Sequence, residues 1–258
     1  MLCTHDINII ELPDILSLNP YFFTILQKNY YLCNGKCKRY SMKRKELYQK
    51  VIEYFSKEMP TPTTELEFGS TFQLLVAVIL SAQCTDKRVN MITPELFRAY
   101  PDARSMAEAG ESEILEYIKS VSYPNAKARH LAETARLITE KHGGEVPSDY
   151  DELLKLPGVG RKTANVMSAV AFGRSAMAVD THVYRVSHRI GLVSAKDNTP
   201  FKVEQVLTKN FPNEIIPDAH HWLILHGRYV CKAVRPMCEK CGLSDVCMKR
   251  MEGAKLRK

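Results

Sequence analysis

The sequence lacks any long apolar run. Its longest apolar stretch, residues 72–82, is interrupted by Gln73 and Ser81 and reaches about half of the ~20 residues that a membrane-spanning helix needs. The first residues carry acids and no basic segment, so a secretory signal peptide is not expected. Reduced cysteines are then the default. We expect no membrane partner and a cytoplasmic location.

Strand signals and repeats are also scarce. Beyond the first 41 residues, β-branched residues do not alternate with period two, and no fixed repeat or low-complexity segment is present. Apolar residues instead recur at near-helical spacing among charges, as at Leu47, Val51 and Phe55, which predicts an all-α protein. Residues 70–83 are predicted to form a buried helix, and Pro94 is predicted at the first position of another.

The size and charge of the chain set further bounds. Its 258 residues are 45% hydrophobic and 25% charged, which is typical of a globular protein of one or two domains. A net charge of +7 suits a polyanion such as nucleic acid, although solubility alone also explains it. Residues 1–41 are rich in aromatics without a sustained period. Met42 is therefore predicted to open the domain, after an extension of unknown role or a misassigned start.

Four cysteines fall in one short segment, as Cys231-x6-Cys238-x2-Cys241-x5-Cys247. Thiolates at such spacing bind zinc or an iron–sulfur cluster. Structural zinc sites commonly use two short pairs of cysteines, whereas here a single pair is flanked on both sides. One contiguous loop suits a cuboidal [4Fe–4S] cluster, whose irons occupy the corners of a cube. The spacing favours the cluster and leaves zinc, or no metal, as alternatives.

Residues 156–164, LPGVGRKTA, lie between two predicted helices. Gly158 and Gly160 allow positive φ and expose backbone N–H groups next to a helix N-terminus, which together make an anion site. A nucleotide-binding P-loop is excluded, because Arg161 separates Gly160 from Lys162 and no strand precedes the glycines. The segment is predicted to hold a nucleic-acid phosphate without reading sequence. A plain tight turn is the alternative.

Two residues near this hairpin carry potential chemistry. Lys162 stands at a helix start, where the dipole disfavours an ammonium, so a partly buried amine there can act as a nucleophile. A solvated or phosphate-pairing lysine is the alternative. Asp180 precedes a helical pattern, which predicts an N-cap with a fixed carboxylate. An amine and a carboxylate beside a phosphate-binding hairpin indicate chemistry on a sugar next to a phosphate.

Four segments together carry a family resemblance. These segments resemble those of the endonuclease III family, whose members are bifunctional DNA glycosylases of the helix-hairpin-helix superfamily. The segments are LPGVGRKTANV, AVDTHVYRV, HHWLILHGRYVC and the four-cysteine cluster. The similarity runs in order from about residue 43 to about residue 250. It leaves only the N-terminal extension outside.

The resemblance implies two α-helical domains with DNA in the cleft between them. A six-helix bundle over residues 64–174 would include the helix-hairpin-helix at 150–169. Residues 42–63 with 175–250 would form the second domain, and its loop at 231–247 would hold a [4Fe–4S] cluster on the four cysteines.

The resemblance also implies an activity. Oxidised or ring-saturated pyrimidines would leave the duplex and be excised. Lys162 would attack the sugar C1′ to form a Schiff base, with Asp180 assisting, and β-elimination would cut the strand 3′ to the abasic site. The expected partner is double-stranded DNA with damaged pyrimidines or abasic sites. We expect a monomer, associated with the nucleoid if the source is bacterial.

Other residues match DNA contacts of the family. Gln83 matches the residue that fills the gap left by the extruded base. Tyr123 occupies a second intercalating position, where the family often has leucine, so its contact with the opposite strand stays open. His182 is expected to line the site. Lys232 and Arg235 are expected to contact phosphates, which gives the cluster loop a DNA-binding role.

Two other functions remain as alternatives. Adenine mismatch glycosylases share the cluster and the hairpin, but they lack the hairpin lysine and carry a further C-terminal domain, so Lys162 and the chain end soon after Cys247 argue against them. A non-catalytic helix-hairpin-helix protein with a redox-sensing cluster would not need Lys162 and Asp180 together. The pair His220 and His221, and the adjacent Trp222, are expected to pack in a helix.

Overall fold

The computed structural model describes residues 30–33, 36–39 and 42–248. The chain divides into two compact units, residues 1–43 and 44–258. In the first unit, β1 (Tyr30–Cys33) pairs antiparallel with β2 (Lys36–Arg39). The sequence shows no strand pattern there, so this ladder is an addition to the all-α prediction. The rest of the predicted extension lies outside the described residues.

The second unit is helical, which confirms the predicted fold class. No helix of the described residues is both long and apolar enough to cross a membrane. Short 3₁₀ turns at Asn213–Ile215 and Cys238–Lys240 supplement the α-helices. The described α-helices are α1 (Arg44–Glu58), α2 (Thr71–Leu80), α3 (Asp86–Ala99), α4 (Ala103–Glu108), α5 (Glu111–Ile118), α6 (Pro124–His142), α7 (Tyr150–Leu154), α8 (Arg161–Val170), α9 (Thr181–Ile190), α10 (Pro200–Asn210) and α11 (Ile216–Tyr229).

Helix α3 corrects one prediction from the sequence. Pro94 lies inside α3, not at its first position. The helix begins earlier because Thr85 caps it, accepting a hydrogen bond from the Arg88 N–H at 3.2 Å. Val89 and Leu96 are fully buried on either side of the proline. Their burial offsets the backbone hydrogen bond that proline cannot donate.

The buried side chains fall into two groups. The first is one continuous cluster that runs from Leu66 to Ala178 along the chain. At its centre lies α2, which is apolar on almost every face, as a fully buried helix must be. The second group includes Phe55 of α1, which stacks on Trp222 of α11 with ring centroids 5.7 Å apart. The Trp222 indole also donates to the Met59 carbonyl at 2.8 Å, so α1 is fixed to α11.

Candidate active site

An open pocket lies where segments distant in sequence meet. Lys162, at the start of α8, and Asp180, just before α9, both line it. Its space is about 490 Å³, a figure that includes the open mouth. The other lining residues are Thr63, Thr64, Glu65, Leu66, Val78, Ser81, Asp86, Val166, His220, His221, Ile224, Leu225 and Arg228. The amine and the carboxylate predicted from sequence are thus brought together.

The hairpin before α8 uses its two glycines differently. Gly158 has φ +77°, a left-handed conformation that favours glycine, and a Cβ there would crowd the Ile79 and His130 side chains at 3.3 Å. Gly160 has φ −94°, so of these two glycines only Gly158 adopts the positive φ that glycine allows. As the N-cap of α8, Gly160 supplies no side-chain acceptor. The first N–H groups of α8 therefore keep their capacity to bind an anion.

Asp180 is the N-cap of α9, as its position in the sequence predicts. Its Oδ1 accepts hydrogen bonds from the backbone N–H groups of His182 and Val183, both at 2.8 Å. Its Oδ2 accepts none from the described residues. Two bonds to one oxygen fix the orientation of the carboxylate, and the second oxygen remains available to an incoming group.

His220 lies beside Lys162 in the pocket wall. Its side chain is 1% exposed, and this burial lowers the pKa of its imidazole to about 3, with smaller contributions from its neighbours His221 and Lys162. The ring bonds to the backbone of Ala178, and its Nδ1 has no hydrogen-bond partner among the described residues. His220 is therefore a neutral imidazole that adds no cation next to the lysine.

A cluster of charged residues in the pocket wall was missed from the sequence. The Arg228 Nη1 contacts the Glu65 carboxylate and lies 2.7 Å from Asp86 Oδ2. The hydroxyl of Tyr229 donates to the other oxygen of Glu65. Glu65 and Arg228 stand 163 positions apart, so no local pattern joins them. The available signal in the sequence was Arg228 itself, a charged residue near the end of the mainly apolar segment that forms α11.

Three predicted DNA contacts share a strained backbone. Gln83, Tyr123 and Arg235 have φ of 54°, 55° and 52°, and no other described non-glycine residue has positive φ. Such conformations cost about 1–3 kcal/mol each and cluster at functional sites. None of the three lines the pocket, but Ser81, two positions before Gln83, does. His182 does not line the pocket either, and its Nδ1 lies 3.2 Å from the guanidinium of Arg185.

The four predicted cluster ligands are half-buried cysteines. Burial raises the pKa of the Cys241 thiol, and Cys247, Cys231 and Cys238 are close enough to raise it further. Within the described residues, no group of three or more His, Cys, Asp or Glu side chains converges on a single metal ion. A cuboidal cluster does not need ligands that converge on a single ion, because each of its irons binds a separate thiolate. Four neighbouring thiols in one loop fit such a group.

Two arginines of α9, also missed from the sequence, hold the start of the cysteine loop. Arg189 donates to the carbonyl of Lys232 at 2.6 Å and to that of Ala233 at 3.0 Å. Arg185 donates to the Cys231 carbonyl at 3.2 Å, and to the Gly227 carbonyl of α11 at 2.9 Å. The helix capped by Asp180 thus also supports the loop that exposes Lys232 and Arg235.

A tight hairpin between two helices, with an uncapped helix N-terminus beside a lysine and an aspartate, defines a helix-hairpin-helix protein. Residues 76–213 match the model of the HhH-GPD superfamily base excision DNA repair proteins.

Comparison with known proteins shows which family of this superfamily the chain belongs to. Endonuclease III of Rickettsia felis is 46% identical over 202 residues, which are 78% of this chain and 94% of the relative. Endonuclease III of Escherichia coli K12 is 45% identical over 197 residues, 76% of this chain and 92% of the relative. A solved structure of a trapped covalent intermediate of endonuclease III and DNA is 41% identical, with a TM-score of 0.78 over 83% of this chain and 100% of that chain. A non-covalent endonuclease III–DNA complex matches with the same values. The chain belongs to the endonuclease III family, which confirms the resemblance.

Proposed function

We propose that this chain, a base excision repair DNA glycosylase with abasic-site lyase activity, removes oxidised or ring-saturated pyrimidines through a Schiff base on Lys162. The observation that carries the proposal is that Lys162 and Asp180 line one pocket, with Asp180 fixed by its two N-cap bonds. Adenine mismatch glycosylases lack the hairpin lysine, and a binding protein without catalysis would not need a lysine and an aspartate together.

The chemistry proceeds in two stages. In the first, the Lys162 amine attacks C1′ of the extruded nucleotide, the glycosidic bond breaks, and the base leaves with the bonding electrons and takes up a proton. The free Oδ2 of Asp180 accepts a proton from the amine or stabilises positive charge on the sugar. In the second stage, the sugar ring opens: the C1′–O4′ bond breaks, O4′ takes up a proton, and C1′ and the Lys162 nitrogen form a protonated imine. The imine acidifies the C2′ proton. Loss of this proton expels the 3′ phosphate by β-elimination.

The charges in the pocket support a neutral substrate base. Three carboxylates, those of Glu65, Asp86 and Asp180, share the pocket with the cations of Lys162 and Arg228. A phosphate would meet this surplus of negative charge, whereas a neutral base would not. The phosphates would instead bind outside the pocket, at the uncapped start of α8 beyond Gly160.

The wider interface follows the family pattern. Residues 64–174 form one domain, residues 42–63 with 175–250 the other, and duplex DNA lies between them. Gln83 and Tyr123 enter the base stack, and Lys232 and Arg235 contact phosphates. His182, which contacts Arg185, supports the first turn of α9 near the DNA. The enzyme acts as a monomer in the cytoplasm, without a membrane partner.

A [4Fe–4S] cluster would be held by Cys231, Cys238, Cys241 and Cys247. When bound, it supplies iron–thiolate links that fix the loop between the first two cysteines. Arg185 and Arg189 hold the beginning of the same loop through its backbone carbonyls. The loop then presents its basic side chains to DNA in one conformation.

Replacing Cys241 with serine tests the cluster. The purified Cys241→Ser protein is expected to lose the broad visible absorbance and the bound iron of the wild type, because a hydroxyl is a poor ligand for iron in such clusters. Cys84→Ser, at a half-buried cysteine outside the loop, is the control and keeps both. Full iron content in Cys241→Ser would refute the ligand set.

Borohydride trapping tests the proposed function itself. The wild-type protein is incubated with a duplex that carries one thymine glycol, and borohydride reduces any imine to a stable amine. We expect a covalent protein–DNA adduct whose attached residue is Lys162 by peptide mapping. Base release without an adduct would mean that water is the nucleophile. Neither release nor adduct, from protein with its cluster intact, would refute the proposed substrate.

A further inference from the structure

One buried lysine joins the two segments that carry Gln83 and Tyr123. The Lys127 side chain is 6% exposed, and its Nζ donates to the carbonyls of Leu80 at 2.8 Å and Ala82 at 2.7 Å. Its backbone N–H donates to the Tyr123 carbonyl at 3.1 Å. A single residue of α6 therefore binds both the C-terminal end of α2 and the turn that begins α6.

The position of this cation has a physical reason. Carbonyls at the last turn of a helix have no partner in the helix and carry partial negative charge. Burial lowers the pKa of Lys127, so the protein retains this ammonium against a desolvation cost. The two carbonyls offset that cost, and they hold the chain in place immediately before Gln83.

A second contact joins the same two segments. The Ser122 hydroxyl donates to the Gln83 carbonyl at 2.6 Å. Gln83 and Tyr123, the residue that follows Ser122, are both in the left-handed conformation, and the Tyr123 side chain is 66% exposed. An exposed, strained residue needs neighbours that hold it in place.

We propose that Lys127 and Ser122 are positioning residues that tie the Gln83 loop, residues 81–84, to the Tyr123 turn, residues 119–123, so that the two enter the duplex as one rigid unit. This inference rests on the proposed function, in which both residues fill space in the base stack. Two loops ordered in advance lose less conformational freedom on binding than two that must be ordered by the DNA. The tie would therefore favour extrusion of the base, not the later chemistry.

Two substrates separate extrusion from chemistry. One duplex carries thymine glycol opposite adenine, and the other carries a preformed abasic site, which has no base to unstack. Both reactions use Lys162 and the same pocket, so a general defect slows both. Single-turnover rates are measured for the variants Ser122→Ala and Lys127→Met. The control is Ser175→Ala, which removes a similar hydroxyl bond, 2.7 Å to the carbonyl of Asn213.

The expected result is a split between the two reactions. Base release is expected to slow about fivefold in Ser122→Ala and about thirtyfold in Lys127→Met, because one hydrogen bond and two buried charge-assisted bonds are lost. Cleavage of the abasic site is expected to slow by about twofold or less in both variants, within the change expected from losing a single weak bond. If Lys127→Met does not fold, the two rates of Ser122→Ala by themselves test the proposal.

Other patterns overturn the proposal. An equal loss on both substrates would mean a structural role for the tie. A Ser122→Ala rate equal to that of Ser175→Ala on thymine glycol would mean that the tie does not act in extrusion. A wild-type protein that is inactive on both substrates would refute the proposed function, and the tie with it. If the wild type is active on both substrates, the proposed function stands, and the variant rates test only the tie.

Discussion

Replacing Lys162 with alanine is expected to abolish both base release and the covalent adduct. The amine is the only nucleophile of the proposed mechanism, and removal of a covalent nucleophile typically costs at least about 10³-fold in rate. The measurement is single-turnover release of thymine glycol, with borohydride trapping in parallel. Strand cleavage at a preformed abasic site should fall together with base release, since both pass through the same imine.

The controls for this variant are within the chain. Lys50→Ala removes an exposed lysine of α1 that pairs with Glu46, and it should cleave and trap like the wild type. Lys162→Ala should still bind an abasic-site analogue, because the hairpin and its N–H groups are retained. Base release near the wild-type rate would show that another group, or water, attacks the sugar.

Replacing Asp180 with asparagine is expected to slow base release by about 10²–10⁴-fold, the usual contribution of a group that moves a proton or stabilises charge in the transition state. Asparagine is as good an N-cap as aspartate, so α9 should keep its start and the protein its stability. The substitution therefore removes the charge and the basic oxygen with little change in shape. Single-turnover rates and melting temperatures together test this separation.

A matched capping residue controls for the helix cap. Asp102 caps α4 by accepting the Ser105 N–H at 2.8 Å, away from the pocket, so Asp102→Asn should leave base release unchanged. The substitution Asp180→Ala should slow base release about as much as Asp180→Asn does. It should also destabilise the fold by about 1 kcal/mol, since the cap is lost. Normal rates in Asp180→Asn would mean that the carboxylate acts only as a cap.

Local features could be predicted from the sequence because their causes lie within a few residues. The Asp180 cap depends on its position two and three residues before the N–H groups it accepts. The left-handed Gly158 follows from a tight turn before a helix. The same local reasoning failed at Pro94, where the cap at Thr85 and burial of the helix face outweigh the preference of proline for a helix start.

The sequence by itself determined the helical class and the family, because periodicity and short motifs are local features of the chain. It also supplied the cysteine loop and the lysine–aspartate pair on which the proposed function depends. The tertiary structure alone decided which distant side chains meet. Arg228 reaches Glu65 across 163 positions, and Lys127 reaches the Leu80 carbonyl across 47. Such contacts depend on how whole helices pack against one another, since burial of their apolar faces sets which polar groups must pair inside.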